Sequence, residues 1–255
     1  MNIVDFHAHA FPDRLAERAI PMLEQEAGVK AALNGKIASL LASMDRAGIG
    51  RSVLASIATK PEQFDAILQW SLQTATERIV PFASVHPADP LALERIGQIA
   101  DAGVRGIKLH PYYQEFAIDE ERMFPLYEAM ERRGLILLCH TGFDIAYPRE
   151  RIADPARVAR VAAAFPALRF VASHLGAWED WGEVKRHLLG KPVYFDLSYS
   201  VDRMDRGMAR EMLLAHPPER LLFGSDSPWA DQAAAVAAVR SLDLGSAYQP
   251  MPISH

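Results

Sequence analysis

The sequence predicts an α/β protein in which eight strand–helix repeats form a distorted TIM-type (β/α)8 barrel. Short apolar runs rich in β-branched residues alternate along the chain with longer segments of helical period. Several of these runs are apolar at nearly every position, which is typical of parallel strands buried on both faces. Eight repeats within 255 residues fit a barrel better than an open doubly wound sheet, which normally has fewer strands.

The predicted strands are the eight short apolar runs, and most of them end at a polar residue. In chain order they are Ile3 to His7, Ser52 to Ile57, Ile79 to Val85, Val104 to His110, Leu135 to His140, Leu168 to His174, Pro192 to Ser198 and Leu221 to Asp226.

Helices are predicted between these strands, and glycines follow two of them. Gly103 and Gly134 each stand between a helical segment and the next strand, where a left-handed cap is expected. No Pro/Gly/Ser-rich linker divides the chain, so we expect a single domain over residues 1–255. The clearest helical segments are Pro61 to Glu77, Pro90 to Ala102, Asp119 to Arg133, Pro155 to Ala164 and Asp202 to Ala215.

Composition favours a small-molecule substrate. The formal net charge is -5 with acids and bases interspersed, which argues against binding to nucleic acid or to an anionic membrane. Cys139 is the single cysteine, so an internal disulfide is excluded and a reducing compartment is expected. No leader peptide and no apolar stretch of membrane-spanning length is evident. We therefore expect a cytoplasmic protein, and the sequence leaves a monomer or a homodimer open.

Residues of metal-ligand type stand at the ends of five predicted strands. Because barrel active sites are built at the C-terminal ends of the strands, this placement predicts that these side chains converge. Three or four imidazoles with one carboxylate suit Zn²⁺ and also other divalent first-row metals such as Mn²⁺, Fe²⁺ or Ni²⁺. A hydrogen-bonded structural role is the alternative for any one of these histidines. The residues are His7, His9, His110, His140, His174 and Asp226.

Five short motifs, in this order, resemble those of the amidohydrolase superfamily, and most closely its amidohydrolase-2 branch, which includes aminocarboxymuconate-semialdehyde decarboxylase-like enzymes. The resemblance implies a distorted barrel with one catalytic divalent metal, usually zinc. The motifs are Asp5-Phe6-His7-Ala8-His9, Gly106-Ile107-Lys108-Leu109-His110-Pro111, Cys139-His140-Thr141-Gly142, Ser173-His174-Leu175-Gly176 and Phe223-Gly224-Ser225-Asp226-Ser227-Pro228-Trp229.

Carried over position by position, the resemblance implies that His7, His9, His140 and Asp226 are metal ligands. It implies that His174 contacts metal-bound water or the substrate, or joins the coordination shell. Asp226 is also expected to act as the proton shuttle. The alternative for Asp226 is a cap on the following helix.

Strand four carries two further candidates on one face. His110 is expected to contact substrate and to act with His174 in catalysis. Lys108 lies one layer deeper, and pairing with a buried carboxylate such as Asp5 or Asp196 is favoured over carbamylation.

Loops after the strands are expected to bind substrate. Arg149 could hold a substrate carboxylate, and Tyr112 and Trp229 belong to a set of aromatic residues that could stack on a planar ring. The alternatives are a solvated arginine and aromatic packing beneath loops. Cys139 is expected to be a small core residue without a nucleophilic role.

These observations predict a metal-dependent hydrolase of a small carbonyl compound, an amide, lactone or ester that is carboxylated or cyclic, attacked by metal-activated water. The alternative is a nonoxidative metal-dependent decarboxylase of a carboxylated ring or semialdehyde. A further alternative is a catalytically silent barrel that binds metal or ligand.

Overall fold

The computed structural model describes residues 3–245. Pro250, Pro252 and His255, near the end of the sequence, lie outside the described residues. Strands and helices alternate along the chain as the sequence predicts. The strands are β1 (Ile3–Ala8), β2 (Ile49–Ala55), β3 (Ile79–Phe82), β4 (Gly106–Leu109), β5 (Ile136–Cys139), β6 (Arg169–Ala172), β7 (Tyr194–Asp196) and β8 (Leu221–Leu222).

The helices within the described residues occupy the connections between strands. Short 3-10 turns at Pro61–Gln63, Glu121–Met123 and Pro218–Arg220 precede α3, α5 and β8. The α-helices are α1 (Asp13–Ala27), α2 (Ile37–Ala47), α3 (Phe64–Thr74), α4 (Ala92–Asp101), α5 (Phe124–Arg132), α6 (Pro155–Ala164), α7 (Trp181–His187), α8 (Arg206–Ala215) and α9 (Gln232–Ser241).

The strands pair in chain order, β1-β2-β3 in one sheet and β4-β5-β6-β7-β8 in the other, and the pairs whose register is described are parallel. Single bridges extend this pairing at Ala83 to Ile107 and at Ala8 to Ser227. Most positions in β4, β5 and β6 are buried. Such burial on both faces explains why the runs carry almost no polar alternation.

The chain divides into two compact units. Of the described residues, the first unit comprises 3–54, 76–80 and 196–245, and the second comprises 55–75 and 81–195. The sequence prediction of a single domain stays a prediction. In the first unit a core cluster joins β1, β2, α2 and α9 through residues that include Ile3, Leu40, Met44, Ile49 and Val236.

Most of the predicted strands extend further along the chain than the observed strands do. Apart from His7, which lies within β1, the polar residue at each predicted strand end comes one or more residues after the strand ladder has stopped. His174 and Asp226 have φ angles of +60° and +66°, which an extended ladder does not accommodate. The predicted helix Pro155 to Ala164 is confirmed as α6.

Among residues 3–245, no helix combines the length and the apolar character that crossing a bilayer requires.

Candidate metal centre and imidazole cluster

The end of β1 directs two imidazoles toward the carboxylate of Asp226. His7 and His9 are two residues apart, so an extended backbone places both side chains on one face. Their Nε2 atoms are 3.1 Å apart. Asp226 Oδ1 lies 3.5 Å from His7 Nε2 and 3.2 Å from His9 Nε2. These three residues, all in the first unit, are called the metal triad below.

Backbone hydrogen bonds bring Asp226 to the two histidines. Asp226 N donates to His7 O at 2.7 Å, and His9 N donates to Ser227 O at 2.5 Å. Asp226 adopts a left-handed backbone conformation, which costs free energy in a residue with a Cβ atom. Such conformations persist where the surrounding structure imposes them, and they cluster at functional sites.

The buried carboxylate of Asp5 supports the same arrangement. It accepts hydrogen bonds from Ser225 N at 2.9 Å, from Ser225 Oγ at 2.6 Å and from Gln232 Nε2 at 2.7 Å. Burial raises the pKa of Asp5 to about 6, although the hydrogen bonds from Ser225 and Gln232 act in the opposite direction. Asp5 therefore ties the residue before Asp226, and the start of α9, to β1.

The spacing of the donor atoms in the metal triad fits one first-row cation. Ligand atoms about 2.1 Å from a tetrahedral zinc ion are about 3.4 Å from one another. The three separations in the triad are 3.1, 3.2 and 3.5 Å. Two imidazole nitrogens and a carboxylate oxygen form a donor set that several divalent metals accept. The three residues thus satisfy both the distance and the chemistry that a metal ion requires.

Two polar residues, one at the end of β7 and one shortly after it, contact the second ring nitrogen of His7. Asp196 Oδ2 lies 3.1 Å from His7 Nδ1, and Ser198 Oγ lies 3.0 Å from the same nitrogen. Metal-ligating histidines commonly have such a partner on the second ring nitrogen. This contact orients His7 so that Nε2 faces the other members of the triad.

Three further predicted histidines come together in the second unit. The rings of His110 and His140 stack, with centroids 4.2 Å apart and planes inclined by 20°. His174 Nε2 lies 3.1 Å from His140 Nδ1. We call these three residues the imidazole cluster. Each of them lies one or two residues after β4, β5 or β6.

Asp144 adds a carboxylate to this cluster. Its Oδ2 lies 3.4 Å from His110 Nε2 and 3.7 Å from His140 Nε2, and its Oδ1 accepts a hydrogen bond from Ala146 N at 2.8 Å. His110, His140 and Asp144 form a second group of donor atoms close enough together to hold a metal ion.

The hydrogen bonding of His140 shows which nitrogen is available as a ligand. His140 Nε2 lies 3.0 Å from Phe143 O. A carbonyl oxygen only accepts, so Nε2 carries the hydrogen and the lone pair is on Nδ1. Nδ1 faces His174. A metal ligand role for His140, as the sequence predicts, would therefore use Nδ1 and not Nε2, the nitrogen whose distance to Asp144 is given above.

The Tyr112 side chain makes hydrogen bonds to the protein backbone. Its side chain is buried, and its hydroxyl donates to Gly142 O at 3.0 Å or to Glu150 O at 2.7 Å. Burial raises the pKa of the Tyr112 hydroxyl far above its ordinary value, and the charge of Asp144 adds to the effect. The hydroxyl thus holds the loop after β5 in place.

The other two residues predicted to bind substrate lie in unrelated settings. Arg149 forms an ion pair with Glu179, and its guanidinium lies 3.9 Å from the centroid of the Phe143 ring. Trp229 is half-buried, and its backbone N donates to Asp226 O at 2.9 Å. Trp229 is therefore close along the backbone to the metal triad.

Two half-buried tyrosines lie beside the imidazole cluster. The Tyr113 ring lies 4.4 Å from the His110 ring, and the Tyr147 ring lies 5.3 Å from that of Tyr113, measured between centroids. Neighbouring tyrosine rings of this kind can stack on a planar ring of a ligand.

The remaining sequence interpretations concern residues outside the two clusters. Cys139 is fully buried, and burial raises the pKa of its thiol to about 12, which supports a core role. Lys108 is also buried, and its pairing with a carboxylate stays a prediction. The alternative that Asp226 caps a helix is wrong, because the N-cap of α9 is Asp231, whose Oδ1 accepts from Ala234 N at 2.9 Å.

Sequence reasoning did not identify Asp144 or Asp196 as site residues. Asp144 comes four positions after His140 in a loop, and no periodic pattern marks it. Asp196 lies at the end of β7, so its strand-end position was a signal of the same kind as that of the histidines.

Comparison with known proteins identifies both the fold and the family. No curated protein matches the chain, whereas many solved structures do. An uncharacterised TIM-barrel protein from Bordetella bronchiseptica is 19% identical with a TM-score of 0.78, and the match covers 97% of this chain and 94% of that one. This similarity confirms the predicted barrel fold class.

Two further matches are decarboxylases. The 5-carboxyvanillate decarboxylase of Novosphingobium aromaticivorans, solved with manganese and 4-hydroxy-3-methoxy-5-nitrobenzoic acid, is 16% identical with a TM-score of 0.69 and covers 96% of this chain and 91% of that one. The 2,6-dihydroxybenzoate decarboxylase from Rhizobium is 15% identical with a TM-score of 0.67, and the match covers 97% of this chain and 94% of that one.

A family model described as amidohydrolase matches residues 4–250. The chain therefore belongs to this amidohydrolase family.

Proposed function

We propose that the chain is a metal-dependent decarboxylase of a small carboxylated ring. The metal triad is the observation that carries the proposal, because it supplies the donor set for a divalent cation in a chain of this family. Two structurally similar proteins are named as decarboxylases. They favour decarboxylation, the alternative in the sequence analysis, over hydrolysis.

The reaction defines what the site must do. In nonoxidative decarboxylation the bond between the ring carbon and the carboxylate carbon breaks, CO₂ leaves, and the ring carbon takes up a proton. The protein must orient the carboxylate, stabilise the negative charge left on the ring and deliver the proton. A divalent cation held by the triad would supply positive charge toward the substrate oxygens.

Asp226 is the proposed proton donor. Its side chain is 12% exposed, so it is shielded from bulk water and still accessible. Its carboxylate is held from the backbone side by the bond from Asp226 N to His7 O. A carboxyl group fixed in this way can transfer a proton at hydrogen-bond range without moving the chain.

From the sequence prediction, His110 and His174 are also proposed to contact the substrate and to act in catalysis. Replacement of either residue by Gln should lower kcat by about 10²-fold, the usual scale for one acid–base or hydrogen-bonding group. For Arg149, Tyr112 and Trp229, the proposal of substrate binding predicts an increase in KM after substitution. Arg149→Gln with Glu179→Gln as its matched control separates substrate binding from loss of the surface ion pair.

Hydrolysis of a carbonyl compound is the second candidate, because the family model is described as amidohydrolase. Asp226 would then accept a proton from water and return it to the leaving group. Product analysis separates the two reactions. Release of CO₂ with no label taken up from ¹⁸O-water supports decarboxylation, and ¹⁸O in the product supports hydrolysis.

Metal content provides the first test of the triad. We propose Zn²⁺ as the native ion, with Mn²⁺ as the main competitor, since a similar decarboxylase was solved with manganese. His7→Ala, Asp226→Ala and, from the sequence prediction, His140→Ala should each strip the metal or abolish turnover. Cys139→Ser should retain both. Elemental analysis of protein purified without chelators measures the metal, and full occupancy together with full activity in all three variants would refute the assignment.

A further inference from the structure

We propose that Asp196 locks His7 in the tautomer that presents the Nε2 lone pair to the rest of the metal triad, while Ser198 donates its hydroxyl hydrogen to the same carboxylate, and that Asp196 is therefore a positioning residue of the metal centre. This inference rests on the proposed role of the triad in metal binding, and its test does not depend on which reaction the protein catalyses.

The contacts are short and fully enclosed. Asp196 Oδ2 and Ser198 Oγ lie 3.1 and 3.0 Å from His7 Nδ1. Asp196 and Ser198 have no exposed surface, and His7 is 1% exposed. The three side chains are therefore shielded from bulk water, and their described hydrogen bonds to one another determine where the hydrogens lie.

The position of the Ser198 hydroxyl hydrogen decides which groups around His7 Nδ1 donate and which accept. Ser198 N donates to Asp196 Oδ1 at 3.0 Å, and Ser198 Oγ also forms a hydrogen bond with the same oxygen. A carboxylate only accepts, so Ser198 is the donor. Because a hydroxyl has a single hydrogen, Ser198 Oγ cannot also donate to His7 Nδ1.

The tautomer of His7 follows from this distribution. Both oxygens that face Nδ1 act as acceptors, so Nδ1 carries the hydrogen. The lone pair is then on Nε2, which lies 3.1 Å from His9 Nε2 and 3.5 Å from Asp226 Oδ1. The carboxylate thus directs the metal-binding lone pair toward the rest of the triad.

Loss of Asp196 reverses this preference. The Ser198 hydroxyl, whose oxygen is 3.0 Å from Nδ1, would then donate to Nδ1, which would stabilise the tautomer with hydrogen on Nε2 and oppose metal binding. Loss of Ser198 alone leaves the bond between Nδ1 and Asp196 in place. The two residues are therefore not equivalent, although both contact the same nitrogen.

The test measures Zn²⁺ affinity by competition with a fluorescent chelator in four proteins: wild type, Asp196→Ala, Ser198→Ala and the double variant. We expect Asp196→Ala to weaken binding by about 10- to 100-fold and Ser198→Ala to change it little. We expect the double variant to bind more tightly than Asp196→Ala, because no hydroxyl remains to stabilise the wrong tautomer. Equal affinities for wild type and Asp196→Ala, or a double variant no tighter than Asp196→Ala, would overturn the proposal.

A second measurement keeps the proposal testable if Asp196→Ala does not fold. Long-range ¹H–¹⁵N spectra of the metal-free protein, with His7→Gln for assignment, report which ring nitrogen carries the hydrogen. We expect hydrogen on Nδ1 of His7 in wild type, and a shift toward Nε2 in the isosteric variant Asp196→Asn. Hydrogen on Nε2 in wild type would overturn the lock.

A matched control is available in the second unit. Asp89 is a buried carboxylate that pairs with Arg95 at 2.8 Å. Asp89→Asn should leave both Zn²⁺ affinity and the His7 spectrum unchanged. Failure of the proposed reaction, with no turnover of carboxylated rings, would leave these affinity and tautomer differences intact, so the two failures are distinguishable.

Discussion

A single hydrogen-bond acceptor can determine which ring nitrogen of a histidine carries the hydrogen and which is left with a lone pair. His7 and His140 illustrate this with opposite ring nitrogens. Asp196 contacts Nδ1 of His7 and directs Nε2 inward, whereas the Phe143 carbonyl contacts Nε2 of His140 and leaves Nδ1 for the cluster. Sequence spacing predicts the location of these imidazoles, but it does not predict which nitrogen binds.

The two residues that sequence reasoning did not identify, Asp144 and Asp196, each contact a candidate site histidine. His7 and His9 stand out because they share a face at a strand end. Asp144 reaches His110 only because its loop folds back through the bond from Ala146 N. Loop conformation of this kind depends on tertiary contacts that carry no sequence period.

The thiol of Cys139 should be unreactive in the native protein. Burial raises its pKa to about 12, and the thiolate is the reactive form. A colourimetric thiol reagent should therefore label Cys139 only after denaturation, at a rate limited by unfolding. Rapid labelling of the native protein at neutral pH would contradict this. Cys139→Ser serves as the unlabelled control.

The loop after β5 connects to the segment after β6 by backbone contact. Gly142 N donates to Ala153 O at 2.7 Å, and Phe143 N donates to Trp178 O at 3.0 Å. Gly142 has a φ of +89°, and a Cβ atom there would overlap the backbone of Trp178. Only glycine allows this approach.

Gly142→Ala should destabilise the protein by about 3 kcal/mol or more, since it combines overpacking against a backbone with an unfavourable φ. Gly28→Ala is the control. Gly28 also has a positive φ but no atom within 4 Å of the added Cβ, so only the conformational cost of about 1 kcal/mol is expected. Urea unfolding measures both changes. Equal destabilisation would show that φ, not contact with Trp178, decides the effect.

Asp119 joins the segment before α5 to α6 through Arg157 and Arg160. Burial of Asp119 tends to raise its pKa, but the two guanidinium groups outweigh it and hold the pKa below its usual value. This contribution to stability is fully present above the unfolded pKa and is lost as pH falls through the folded pKa.

The Tm of wild type should therefore fall below about pH 4 more steeply than that of Asp119→Asn. Thermal unfolding followed by circular dichroism between about pH 3 and pH 7 measures the difference. Parallel curves for the two proteins would contradict this role of Asp119. The sequence identifies α6 from its Pro155 start, but it does not identify this ion-pair network.

At the scale of the whole molecule, strand and helix alternation is sufficient to predict the fold class. Buried parallel strands require apolar residues on both faces, so each strand is visible as a continuous run. Strand ends are less well predicted because the candidate site residues lie just beyond the strand ladder, as His110 and His140 do. The alternation thus locates the site while overestimating the length of the strands.

Metal binding should also stabilise the fold, since the triad joins β1 to the segment after β8. An ion present at about 100 times its Kd stabilises the native state by about 2.7 kcal/mol, which corresponds to a Tm increase of about 5–10 °C in a chain of this size. A chelator should lower the Tm of wild type by this amount.

The variant Asp226→Asn distinguishes this effect from a general action of the chelator. It keeps the backbone bond from residue 226 to His7 O but weakens the ligand set. Its Tm should match that of chelated wild type and should not respond to chelator. If elemental analysis shows that wild type has lost its metal while its Tm is unchanged, the ion does not bind at the junction of β1 with the segment after β8, because a ligand held across that junction must stabilise the folded state.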